Sequence, residues 1–171
     1  MATIKKAKKS KSLIVAEYFI KKNQEDNKGL TNKKLQKLLY YSQAWSLALK
    51  GRRIFPDNIE AWVHGPTVPA VYHSFKEFGS GEIDTEVEDR DISTLSIEER
   101  KLLDSIWEVY GKYEANYLEA LTHSEKPWQE ARRGLGVLEV SNSIISTKIM
   151  KDYYGEKIQE TRKRKGEKRE S

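Results

Sequence analysis

One stretch limits the possible folds more than any other. Residues 31–51 read as a helix with apolar groups around most of its circumference. Thr31 supplies an N-cap, and Gly51 suits the left-handed position just past the last turn. Leu35, Leu38, Leu39, Ser42, Trp45, Ser46 and Leu49 share one face, while Tyr41, Ala44, Leu47 and Ala48 occupy the other side. A surface helix carries a single apolar stripe, so a helix of this kind must be surrounded by other elements. The 171 residues suffice to surround it. A chain of this size buries about 70% of its unfolded surface without disulfides or metals.

The flanking segments supply the packing partners. Ser12 is placed to cap a helix over residues 13–22, with Leu13, Ala16, Phe19 and Ile20 on one stripe, and residues 23–29 read as a loop. Residues 52–65 change character: Ile59, Ala61 and Val63 alternate with Glu60 and Trp62 as in a short strand, which the Gly65-Pro66 pair is expected to break. Pro69 fits the first turn of a helix carrying Val71, Tyr72, Phe75 and Phe78, ended by Gly79 and Gly81. The acid-rich residues 80–94 read as an exposed loop. Ser96 and Glu99 form a capping box for a helix burying Leu102, Leu103, Ile106, Trp107 and Tyr110. Further helices are expected over residues 115–121 and 127–133. Ser146 should cap the last, with Ile149, Met150, Tyr153 and Tyr154 inward and Gly155 closing the domain. The expected fold is mainly α: one globular domain of six or seven helices over residues 12–155, with a short extended or β segment near residues 53–63.

Charge is distributed unevenly. Residues 1–11 hold five lysines and no acid, and residues 156–171 hold seven Lys or Arg against four Glu, whereas acids outnumber bases between them. Both ends read as solvated, disordered tails. Basic tails give nucleic acid a route to bind through phosphate contacts. Lys33, Lys34 and Lys37 at the start of the central helix read as its solvated edge. There is no cysteine, which excludes disulfides, thiol catalysis and Cys-based metal sites. No stretch approaches the roughly 20 apolar residues needed to cross a bilayer, so no membrane association is expected, and the reading is cytoplasmic.

Nothing in the chain announces catalysis. His64, His73 and His123 are the only histidines, and none belongs to an HExxH pair. The His123-Ser124-Glu125 triplet lacks the cysteines that a zinc deaminase needs. Phosphate-binding loops, dinucleotide fingerprints and nucleophile elbows are missing. The enzyme reading is therefore left without support, and no catalytic residue, cofactor or metal is expected.

Its least ordinary stretch is residues 59–72, IEAWVHGPTVPAVY. A strand, a Gly-Pro corner and a Pro-started helix draw Trp62, Val68 and Tyr72 together. Such a corner packs onto the core and also offers a stiff aromatic surface of the kind that anchors protein interfaces. If Trp62 is buried, removing it costs about 3–5 kcal/mol.

Three further blocks accompany this corner: LTNKKLQKLLYYSQAW at residues 30–45, LTHSEKPW at 121–128 and ISTKIMKDYY at 145–154. In this order and spacing the chain resembles the SocA-like antitoxin, or Panacea, family, which includes phage-associated proteins of the GepA type. The resemblance implies a mainly α domain that neutralises a cognate toxin, encoded by the adjacent gene, through direct binding. It equally admits an adaptor delivering that toxin to a ClpXP-type protease. A third reading is a nucleic-acid-binding protein of a phage or mobile element. Carried over by motif position, Lys34, Gln43, Glu60, Trp62, Tyr72, His123 and Trp128, with His64 and Val68 from the corner, are the candidate partner-binding residues. Gly65, Pro66, Pro69, Thr122 and Pro127 are the expected structural ones.

Overall fold

The computed structural model describes residues 7–171, and its centre is the helix singled out above. Thr31 Oγ1 accepts the Lys34 N–H at 3.2 Å and opens helix α2 (Asn32–Lys50), and Gly51 closes it at φ 69°. Fourteen of its nineteen residues are buried, so α2 is enclosed on nearly all sides. Helix α1 (Lys11–Asp26) lays Val15 and Phe19 against it, α5 (Ile97–Tyr110) brings Leu103 and Trp107, and α8 (Thr147–Glu170) brings Met150 and Tyr154. Aromatic rings join these helices. Tyr41 stacks on Tyr110 with centroids 3.9 Å apart, and Tyr154 meets Tyr40 and Trp45 edge-on at 6.2 and 5.0 Å.

The remaining elements wrap one side of α2. Strands β1 (Glu60–Trp62) and β2 (Gly65–Thr67) form an antiparallel hairpin, followed by α3 (Pro69–Ser74) and a 3-10 turn, Lys76–Phe78. The Gly65-Pro66 pair does not break the strand as expected; it forms the returning strand, because Val63 and His64 make the turn. The short α4 (Asp89–Ile92) interrupts the acidic loop and buries Ile92. The Ser96–Glu99 capping box opens α5 as anticipated, and α6 (Ala115–His123) and α7 (Lys126–Ala131) lead to an irregular stretch. Residues 143–145 run beside β1, with the Ala61 N–H bonded to the Ser143 carbonyl and the Ile145 N–H to the Ile59 carbonyl, both at 2.8 Å. The fold is mainly α, with eight α-helices among the described residues and one small sheet.

Two boundaries differ from the sequence reading. Of the basic N-terminal segment, residues 1–6 lie outside the described residues, while residues 7–11 are held in place. Ser10, not Ser12, caps α1, and Lys9 pairs with Glu17 at 2.7 Å and Asp91 at 2.9 Å. Ser12 is instead buried in the first turn. At the other end, residues 156–170 continue α8 as exposed helix in place of the expected disordered tail. Met150 and Tyr154 dock the start of that helix on the core, and Glu, Lys, Arg and Gln, all good helix formers, suit its exposed continuation.

Asn32, Lys34, Gln36, Lys37, Ser42, Gln43 and Ser46 of α2 are buried alongside Leu35, Leu38 and Leu39. Gln43 accepts the Ile54 N–H at 2.8 Å and donates to the Phe55 carbonyl at 2.9 Å, which fixes the chain leaving the helix. Ser46 holds the Arg52 carbonyl at 2.7 Å. Lys34 donates to the carbonyls of Gly111 at 2.5 Å and Lys28 at 3.3 Å, with its ammonium over the Trp107 ring. Replacing Gln43 with Ala orphans buried backbone groups worth about 1–3 kcal/mol each, so the variant should lose about 2–4 kcal/mol in urea unfolding. Leu49→Ala on the exposed end of the same helix should stay within about 0.5 kcal/mol of wild type.

Candidate partner-binding cleft

Beside the hairpin, the first turns of α2 form one wall of a cleft of about 750 Å³. Asn32, Lys33, Gln36 and Lys37 present one helical face to it. Glu60, Trp62 and Thr67 line the sheet side, Tyr72 the α3 side, and Val140, Ser141 and Asn142 the rim. Each wall is held by a side chain of α2. Asn32 donates to the Tyr72 carbonyl at 3.0 Å, Gln36 accepts the Val68 N–H at 2.9 Å, and Lys37 donates to the Pro66 carbonyl at 3.1 Å. The helix thus sets the position of the hairpin and of α3 through main-chain groups that those elements could not satisfy themselves.

Gly65 shows how tightly the hairpin sits. Its φ of 104° follows the two-residue turn, and a Cβ there would lie 2.6 Å from Lys37 Cε and 3.1 Å from Thr122 Oγ1. Glycine is required twice over, by backbone conformation and by the approach of Lys37. Pro66 is buried above Lys37, Pro69 opens α3, and Pro127 lies buried in the first turn of α7. Thr122 donates to the Glu119 carbonyl at 2.8 Å and turns its hydroxyl toward the hairpin.

The candidate residues divide between the cleft and the interior. Glu60, Trp62 and Tyr72 stand together, half-buried. The Trp62 and Tyr72 rings meet edge-on with centroids 5.0 Å apart, and the Trp62 indole N–H lies 3.2 Å from the Glu60 carboxylate. His64, exposed at the hairpin tip, places Nδ1 3.0 Å from Glu119, which Lys33 also contacts. Burial alone would raise the Glu119 carboxyl, but the bonds from Lys33 and His64 outweigh it and hold the carboxyl below its ordinary range. Val68, Lys34 and Gln43 are buried and engaged with the fold, away from the cleft. Trp128 is buried as well, donating its indole N–H to the Trp62 carbonyl at 3.0 Å and stacking on His123 at 3.8 Å. Burial pushes the His123 imidazole below its usual pKa, favouring the neutral ring in that stack. The LTH…PW block therefore braces the hairpin from behind. Trp62 itself is half-exposed, so its removal costs less than the loss of a buried tryptophan.

Two residues of this region escaped the sequence reading. By sequence Lys33, Lys34 and Lys37 read as a solvated edge, yet Lys34 and Lys37 are buried and Lys33 is paired. The signal was present: Lys34 and Lys37 precede Leu38 and Tyr41 by four residues, in phase with buried positions. Arg132 carried no signal, because its three backbone acceptors come from β1 and the irregular stretch after α7. Among the described residues no cluster of His, Asp or Glu could hold a metal, and no helix is long and apolar enough to cross a membrane.

Two measurements follow. Gly65→Ala should destabilise the protein by about 2–4 kcal/mol through overlap and positive φ, read from denaturant unfolding. Lys37 is pushed down to about 7 by burial, from 10.5 in an exposed lysine. Between those values the unfolded chain binds more protons than the folded one, so stability rises with pH across that window and the penalty is complete below pH 7. Lys37→Met should flatten the rise from pH 7 to 10 relative to wild type, in melts across that range.

The model of the family described as antitoxin SocA-like, Panacea domain, matches residues 35–129, from the first turn of α2 into α7. Antitoxin SocA of Caulobacter vibrioides (strain NA1000 / CB15N) is 32% identical over 135 residues, covering 73% of this chain and 72% of that protein. No solved structure matches the chain. With the motif blocks building the hairpin, its brace and the helix beneath them, the chain belongs to the SocA-like antitoxin, or Panacea domain, family.

Proposed function

We propose that this chain is an antitoxin that neutralises a toxin protein by binding it directly, with the cleft beside the hairpin as the contact surface. The observation that carries the role is family membership, together with the 32% identity to a protein named Antitoxin SocA. The geometry favours direct contact as the means. Trp62 on the pinned hairpin and Tyr72 on α3, held by Asn32, present half-exposed rings that lose little freedom when covered. Rigid aromatic groups at the centre of a polar-rimmed depression are the usual source of interface energy. Glu60 and Asn142 supply polar groups that orient a partner.

The product of the adjacent gene is the partner to test. Co-expression with this chain should suppress that product's toxicity, and the two should co-purify. Persistent toxicity beside a folded, abundant wild-type chain would sink the antitoxin reading. Trp62→Ala with Tyr72→Ala should weaken the complex by about 2 kcal/mol or more in calorimetric titration, while the melt of the free variant remains cooperative.

A further inference from the structure

The stretch after α7 carries a feature that the fold does not use. Val137, Leu138, Val140 and Ile144 are 80%, 80%, 91% and 56% exposed. Single exposed apolar residues are ordinary, but four within eight residues mark an interaction surface. The stretch is anchored at both ends. Arg132, buried against Trp128, donates to the carbonyls of Ala61 at 2.9 Å, Gly136 at 3.1 Å and Glu139 at 2.6 Å. At the far end, Ser146 caps α8 while residues 143–145 pair with β1.

That pairing leaves an open edge. The Ser143 carbonyl and the Ile145 N–H face β1, and successive residues of an antiparallel ladder alternate sides. The Ile144 N–H and carbonyl therefore point away from the sheet, and among the described residues neither they nor the main chains of Val140 and Asn142 make a hydrogen bond. Proteins usually blunt such edges with lysine, proline or a covering loop. Residues 137–144, VLEVSNSI, hold one charge and no proline.

We propose that this edge receives a β-strand from the bound toxin, an extended segment that pairs with the Ile144 main chain and continues into the cleft. This rests on the toxin-binding reading above. Ile144 lies opposite Glu60, and Trp62 follows two residues along on the same face of the sheet. An apolar side chain of the added strand would cover Ile144, and a neighbouring Lys or Arg would meet the Glu60 carboxylate beside the Trp62 and Tyr72 rings. A second copy of this chain fits less well. The outward main-chain groups left to pair are those of Val140, Asn142 and Ile144, and both ends are tethered, so a two-fold edge contact falls well short of the roughly 800 Å² per partner of a stable interface. A partner strand adds the area of the adjoining cleft.

Ile144→Pro tests the edge directly, because it removes the outward N–H while the inward bonds use the neighbouring residues. Val140→Lys applies a charge to the same edge and carries the test if the proline variant does not fold. Val109→Lys, on the exposed side of α5 at 52% exposure, is the control. Binding is titrated with the purified product of the adjacent gene. We expect roughly tenfold weaker binding for both edge variants, the equivalent of one or two lost hydrogen bonds, with unchanged melts and no effect of Val109→Lys. In the wild-type complex the Ile144 amide should become protected from hydrogen exchange. Wild-type affinity in both edge variants, with an unprotected Ile144 amide, overturns the strand proposal and leaves the antitoxin reading standing. Failure of the wild-type chain to bind overturns both. A wild-type dimer that Ile144→Pro converts to monomer in sedimentation would assign the edge to a second copy and overturn the proposal.

Discussion

The structure depends on a central helix whose buried polar side chains complete the backbone hydrogen bonding of everything around it. Lys34, Gln36, Lys37, Gln43 and Ser46 each bond a main-chain group of another segment. An apolar α2 would pack equally well against α1, α5 and α8, but would leave the loops and the hairpin with unpaired amides and carbonyls. Burying a lysine is costly, and the low pKa of Lys37 reports that cost. The return is positional, since each bond has a direction and a length, whereas apolar contact has neither. A buried side-chain pair adds to these bonds, with the Glu125 carboxylate accepting the Tyr41 hydroxyl of α2 at 2.8 Å. Burial there raises the carboxyl above its ordinary range, against the opposing effect of the tyrosine hydroxyls.

This scaffold explains how a short hairpin becomes a rigid surface. A two-stranded hairpin of three residues per strand has little stability of its own. Here β2 is held from below by Lys37, and Val68, the residue that follows the strand, by Gln36, while β1 is held from behind by Trp128 and Arg132. Residues 143–145 then lengthen the sheet on its outer side. The exposed edge and the aromatic cleft adjoin one another, and both are held in place by side chains rooted in the interior. A surface prepared in this way binds without a large ordering cost.

Much of the architecture was legible in the sequence. The Thr31 cap, the Gly51 stop, the Ser96–Glu99 capping box and the 3.6-residue periodicity of α2 and α5 are local signals, and each stands where it was read. The signal at Ser12 was local too, but Ser10 was the better cap once Lys9 had partners in Glu17 and Asp91. The candidate site was half legible. Trp62 and Tyr72 meet in the cleft, as the corner suggested, with Glu60 of the motif beside them, while Val68 of the same corner turns inward with Lys34, Gln43 and Trp128. A motif position alone does not distinguish a side chain that meets a partner from one that holds a loop. Arg132 and the open edge at Ile144 lay beyond sequence reasoning, because their meaning comes from β1, some 70 or more residues earlier in the chain.

The sequence by itself determined the class of the fold, the enclosed central helix and, through its motif blocks, the family. These follow from periodicity, capping and spacing, which depend on neighbours within a few turns. Only the tertiary structure decided which of the polar motif residues are buried, how the hairpin is clamped, and which backbone edge remains open. Those properties depend on main-chain groups brought together from distant segments, and no local pattern specifies which amide a buried lysine or glutamine will find.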